Sequence, residues 1–190
     1  MTRHLVSLRN AVPDDAERLA DLWSDVLRRV ERDEQAADLR SIIERVALLH
    51  DERLVVAEYD GQIAGAVHLR AATMTPLNLE PVLQTISPHV FPEFRRHGVG
   101  RALMETSVAF AEELGIGHVA TAVVAGSRDA NRFMARLALG PYALLRVASV
   151  HALKAKLSSQ RPQVVRPNAR PLTSVLAVRR SLRKSQAPTP

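Results

Sequence analysis

An apolar, β-branched run from Val82 to Phe91 leads into Arg95-Arg96-His97-Gly98-Val99-Gly100, and an amphipathic helix starts at once. That order builds a place for an anion. The first turn of a helix carries unpaired N–H groups and the positive end of the dipole, and glycines let the backbone wrap a phosphate without Cβ collisions. Arg95, Arg96 and Arg101 bring positive charge to the same spot. Spacing alone leaves open an ordinary helix start in which the glycines serve a turn. Rival glycine readings are weaker. Gly98-Val99-Gly100 lacks the third glycine of a dinucleotide fingerprint, and Gly115-Ile116-Gly117 with Ala120 stands after a helix and before a strand, the reverse of the required order. There is no G-K-[ST] triplet to form a nucleoside-triphosphate loop.

Periodicity orders the rest of the chain. Leu5 to Arg9 alternates as a short strand, and Asp14 with Glu17 resembles a capping box before an apolar stripe at Ala16, Leu19, Ala20, Trp23, Val26, Leu27 and Val30. Trp23 and its neighbours on that stripe read as core or as walls of a cleft. A second helix carries Leu39, Ile42, Ile43, Val46 and Leu49. Leu54 to Tyr59 and Gln62 to Arg70 flank Asp60-Gly61, a pair suited to a two-residue type I′ turn, so they form a hairpin. Ala71 to Pro81 reads as a loop, and Pro88 inside the next strand removes a ladder donor and marks a bulge or break. The helix after the glycines places Val99, Leu103, Thr106, Phe110 and Leu114 on one face and stops at Gly115. His118 to Val124 is a strand, Ser127 or Asp129 caps a helix to about Leu139, and Tyr142 to Val150 is a last strand.

Val90-Phe91-Pro92-Glu93-Phe94-Arg95-Arg96-His97-Gly98-Val99-Gly100-Arg101-Ala102-Leu103 resembles the signature of the GNAT superfamily of acyl-CoA-dependent N-acyltransferases. The Asp60-Gly61 hairpin and Ala130-Asn131-Arg132-Phe133 before Gly140 match neighbouring landmarks of that family. The resemblance runs from about Arg3 to Val150. It implies an α/β (α+β) fold whose mixed, mostly antiparallel sheet is splayed near its middle and flanked by helices. It also implies acetyl-CoA as cosubstrate, transferring its acetyl group to a primary amine on a small molecule or a protein. By the same resemblance, main-chain groups at Val90 and Phe91 pair with pantetheine, and the amides of Arg96, His97, Gly98, Val99, Gly100 and Arg101 hold the pyrophosphate, beside Arg95. The family's asparagine near the start of the last helix corresponds to Ser127, or to Asn131 in another register.

The usual acid and base of the family are missing. Met134 follows Phe133 where many members have a tyrosine, and a thioether cannot donate a proton. The strand glutamate of some members falls nearest Gln84 and Thr85. His89, Glu80 and Tyr142 are the candidate catalytic substitutes. His89 lies beside the expected pantetheine strand and can act as a base near neutral pH, provided the alternation of strand residues turns it to the right face. A structural or exposed histidine, a solvated carboxylate and a half-buried core tyrosine are the alternatives. His97, inside the loop, is expected to contact phosphate.

Composition narrows the class further. The 190 residues suit one compact domain with an appendage, and no apolar run approaches the roughly 18 to 20 residues of a membrane-spanning helix. Met1 to Asn10 lacks the apolar core of a secretory signal, so a soluble cytoplasmic protein without membrane attachment is expected. With no cysteine, disulfides, a thiolate nucleophile and Cys-containing zinc sites are excluded, and no H-E-x-x-H is present; no metal is expected. The net charge of +6 is uneven: from Ser159 onward there are seven basic residues, Arg161 to Lys184, and no acid. We therefore divide the chain into an acyl-CoA-binding domain at 1–158 and a basic, Pro-containing tail at 159–190. In the tail, Leu172, Val175, Leu176, Val178 and Leu182 gather along one helical side beside Arg179, Arg180, Arg183 and Lys184. A segment that short orders on a surface, which could be the body, a second subunit in a homodimer, an acidic protein or nucleic acid. The alternative function is an acyl-CoA-binding protein of the same fold with weak or no catalysis, acting through a partner bound by the tail.

Overall fold

Four consecutive residues, Leu54 to Ala57, are buried in the computed structural model, so the strand that holds them is covered on both faces. The structure describes residues 6–122, 126–143 and 145–159. The chain divides into two compact units, Met1–Gly140 and Pro141–Pro190. The first runs β1 (Val6–Asn10), α1 (Ala16–Leu22), α2 (Arg32–Val46), β2 (Glu52–Tyr59), β3 (Gln62–Thr73), β4 (Pro81–Val90), α3 (Val99–Glu113), β5 (Val119–Thr121) and α4 (Arg128–Arg136). The sheet order is β1-β2-β3-β4-β5, with three antiparallel pairings and a parallel one between β4 and β5. This is the mixed, mostly antiparallel α+β sheet that the sequence implies.

Side chains alternate across a strand, so each buried strand feeds two cores. Leu54, Val56 and Ala66 pack with Leu19 and Trp23 of the α1 segment and with Leu39, Ile43 and Val46 of α2. Val55, Ala57, Val67, Leu69 and Leu83 pack on the other face with Val99, Leu103 and Phe110 of α3. The β2–β3 hairpin turns at Asp60 and Gly61, with φ of 51° and 76°, as the expected type I′ pair requires.

The α1 segment departs from its periodicity. The stripe predicts a helix to Val30, yet α1 ends at Leu22, and Val26 is exposed. The indole of Trp23 donates from Nε1 to the Ser87 carbonyl on β4 at 2.8 Å. That bond ties the turn after α1 to the sheet. The N-terminal cap differs as well. The carboxylate that reaches back belongs to Asp15, which accepts the Val12 N–H at 2.8 Å. Arg9 adds a two-pronged contact to the same carboxylate, 2.7 and 2.8 Å, and donates to Glu58 at 2.6 Å.

Burial pushes the Asp15 carboxyl up, but the Arg9 and Val12 hydrogen bonds and the Arg9 charge outweigh it and hold it below the ordinary value of 3.8. A carboxylate with a depressed native pKa binds fewer protons folded than unfolded. Its stabilisation is present above 3.8 and is lost as the pH falls through the native value. Asp15→Asn should therefore lower the urea-unfolding free energy at pH 7 by about 2 kcal/mol. The variant should also lose less stability than the parent as acid is added below pH 4.

The last expected strand is not formed. Residues 141–143 and 145–149 have no regular structure, and α5 (Val150–Ser159) follows, its Ala152 N–H capped by the Ser149 hydroxyl at 3.1 Å. Strands are held by pairing and by burial against neighbours, and no strand is described in this second unit for Tyr142 to Val150 to join. Of the expected strand His118 to Val124, Val119–Thr121 is formed, whereas 123–125 lie outside the described residues. The tail from 160 onward, with its expected basic helix, also lies outside them. No helix among the described residues is long and apolar enough to cross a membrane.

Candidate active site at the splay of β4

The parallel ladder between β4 and β5 joins only Leu83–Val119, Gln84–Ala120 and Thr85–Thr121. β4 continues to Val90, and beyond Thr85 no described residue pairs with its outer edge, so the sheet splays there. The register against β3 slips at the same place. His68 faces Ile86 and Ala66 faces His89, so Ser87 and Pro88 bulge opposite Val67. Pro88 lacks a ladder donor and Ser87 has a φ of 46°, which accounts for the kink the sequence suggests.

Main-chain groups alternate in direction along a strand. The Phe91 N–H donates to the Ala64 carbonyl at 2.9 Å, and the Phe91 carbonyl accepts from Phe94 at 3.0 Å. Phe91 is thus engaged within the protein. The N–H and C=O of Val90, one residue back, turn away from β3 towards the open edge. Val90 packs towards α3, and His89 shares the opposite face with Ala66.

The glycine loop lies at the end of this strand. A 3₁₀ turn at Pro92–Phe94 leads to Arg95 in extended form, then Arg96 and Gly98 at φ of 66° and 85°. Gly98 is the N-cap of α3, and no side chain caps the helix. The first bond along the helix is from Ala102 to the Gly98 carbonyl at 3.0 Å, so the amides of Val99, Gly100 and Arg101 point out of the first turn without intrahelical partners. Arg95, Arg96 and His97 are exposed around it, with His97 resting against the Tyr59 ring at 4.9 Å. Arg101 instead turns back to Glu105, 2.7 Å away. The Phe133 ring of α4 faces Gly100, where an added Cβ would lie 3.5 Å from its Cζ. Ser127 is the N-cap of α4, and its carbonyl accepts the Asn131 side-chain amide at 2.7 Å.

The structure separates His89 from Glu80. His89 sits at the bulge, with Nδ1 3.1 Å from the Ser87 carbonyl and Nε2 3.4 Å from Asp25 Oδ1. Glu80 stands at the other end of β4, roughly 30 Å away at the strand rise, and its Oε1 is 3.2 Å from His118 Nδ1. Tyr142 belongs to the second unit and is 74% exposed. Met134 is buried at 6% exposure. Gln84 accepts from Arg70 at 2.8 Å, and Thr85 is buried. Sequence reasoning missed Asp25 and the polar role of Trp23. The available signal was the indole N–H, which needs an acceptor when the ring is buried. Among the described residues, no group of three or more His, Asp or Glu could hold a metal ion.

A splayed mixed sheet with an uncapped, glycine-led helix beside its open strand edge defines a domain of the acetyltransferase class. The chain belongs to the Acetyltransferase (GNAT) family, whose model matches residues 16–139. No curated protein matches the sequence. Among solved structures, it is similar to a transcriptional regulator from Bacillus halodurans C-125, with a TM-score of 0.65 and 20% identity over 76% of this chain and 100% of that one. The aminoglycoside N-acetyltransferase AAC(6')-Iy in complex with CoA gives 0.61 and 18%, over 78% and 96%. A glucosamine-6-phosphate N-acetyltransferase from Arabidopsis thaliana gives 0.59 and 15%, over 77% and 99%. At these identities the likeness is one of fold.

Proposed function

We propose that this chain is an N-acetyltransferase that moves the acetyl group of acetyl-CoA to a primary amine. The observation that carries the reading is the uncapped start of α3, with the amides of Val99, Gly100 and Arg101 next to the open main chain of Val90. The amides and the exposed Arg95, Arg96 and His97 suit the pyrophosphate, and Val90 suits an amide-bearing pantetheine arm. Ser127 and Asn131 line up at the start of α4, whose Phe133 meets Gly100. The solved complex of the aminoglycoside enzyme with CoA is consistent with this use of the fold.

In the reaction, the amine nitrogen forms a bond to the thioester carbon, the C–S bond breaks, and the thiolate leaves with its electron pair. The ammonium form of the acceptor must first lose a proton. His89 is the base we assign, because it stands at the bulge; Glu80 lies at the far end of the strand. With Nδ1–H donated to Ser87, Nε2 carries the lone pair. Thiolate is a good leaving group, and Met134 supplies no acid for it.

Titration calorimetry should show CoA binding, and a thiol-release assay over a panel of amines should show sustained turnover with at least one. His89→Gln should lower kcat by about a hundredfold and leave the KM for acetyl-CoA unchanged. An absence of CoA binding overturns the assignment. Buried Met134 favours a second reading, a CoA-binding protein with little catalysis that works through an acidic or nucleic-acid partner on the basic tail, 159–190. CoA binding without turnover on any amine would select it.

A further inference from the structure

The turn after α1 brings two side chains to the β4 bulge. Trp23, 4% exposed, fixes the Ser87 carbonyl through its indole N–H. That carbonyl also stands opposite His89 Nδ1. A neutral imidazole has one donor and one acceptor nitrogen, so a donor at Nδ1 leaves Nε2 as the acceptor. Facing Nε2 at 3.4 Å is Asp25 Oδ1, on a side chain that is 68% exposed, which can only accept when ionised. With Nε2 protonated the two groups form an ion pair; with the imidazole neutral they are two acceptors side by side, which a donor with more than one N–H bridges. Two cations near this segment are already engaged, Arg28 with Asp38 and Arg32 with Asp21.

We infer that Asp25 is the acceptor-selecting residue, holding the cationic ammonium of the incoming substrate against His89 Nε2. This rests on the acetyltransferase reading above and goes beyond it in naming the charge that the acceptor must carry and the group that reads it. The carboxylate pairs the ammonium charge while the imidazole takes one of its protons; the freed amine then keeps two N–H groups and a lone pair for attack. Trp23 serves as a positioning residue, since it keeps the Ser87 carbonyl where Nδ1 meets it.

The test uses the full chain without acetyl-CoA, with n-butylammonium and neutral n-butanol as probes, and follows the His89 ring nitrogens by nitrogen-15 NMR. Butylammonium should shift the Nε2 resonance in a saturable way and butanol should not. Asp25→Asn should weaken the butylammonium response at least about tenfold, and raise KM for any amine that turns over without changing KM for acetyl-CoA. Trp23→Phe, which keeps the ring and loses the donor, should leave the fold intact by circular dichroism and blur the single tautomer at His89. Equal responses to butanol and butylammonium, or an Asp25→Asn response equal to the parent's, overturn the inference while leaving acetyl transfer standing. A normal butylammonium response in a chain that releases no thiol with any amine supports the ammonium site and sinks the acetyltransferase reading.

Discussion

Gly98→Val is expected to cut CoA affinity by at least about tenfold, near 1.4 kcal/mol, in a domain that still folds. Space is not the obstacle, because a Cβ at Gly98 meets nothing within 4 Å. The cost lies in the backbone: at a φ of 85° an L-residue pays about 1–2 kcal/mol, and more when β-branched. Relief comes most easily by rotating the N-cap, and that swings the amides of Val99, Gly100 and Arg101 out of alignment with a phosphate. Calorimetric titration with CoA reads the effect, and Gly98→Ala should give a smaller loss in the same direction. Unchanged affinity in a folded Gly98→Val chain would remove the phosphate-site assignment.

Gly65→Ala should be the more destructive change to the fold itself. A Cβ there would lie 2.5 Å from the His89 carbonyl oxygen, 3.1 Å from Val99 Cγ1 and 3.3 Å from Val90 Cα. Two of those three atoms are main chain, so no side-chain rotation can make room. Overpacking of this kind costs about 1–3 kcal/mol, and the sheet can lower it only by moving the end of β4 away from β3. The urea midpoint should fall accordingly, and CoA affinity should fall with it because Val90 is displaced. A variant with the parent's midpoint would show that β3 and β4 are not tightly apposed at the bulge.

Local signals carried most of the fold. The stripe Leu39, Ile43, Val46 gave α2, alternation about Asp60-Gly61 gave the hairpin, and Pro88 announced the bulge, because each depends on residues within a few positions of one another. The glycine loop was legible for the same reason. The site's other half was not. Trp23 and Ser87 are 64 residues apart, and no spacing rule links them. Asp25 reaches His89 from the turn that follows α1, and a stripe counted to Val30 hides that turn. The expected strand from Tyr142 failed differently: its composition is β-like, yet pairing partners are a property of the whole sheet and leave no mark on the segment.

The brevity of the β4–β5 ladder bears on how the protein breathes. β2 and β3 are zipped from Glu52–Arg70 to Tyr59–Gln62, whereas among the described residues β5 joins β4 through three residue pairs. Opening one short parallel ladder takes far less free energy than global unfolding, so fluctuations concentrate at the rim where the cosubstrate is proposed to lie. A ligand bridging that rim would tie β4 to β5 and stabilise the whole domain by an amount that grows with the logarithm of its concentration above Kd. If CoA is that ligand, the resistance of the protein to heat and proteases would rise with the concentration of CoA around it.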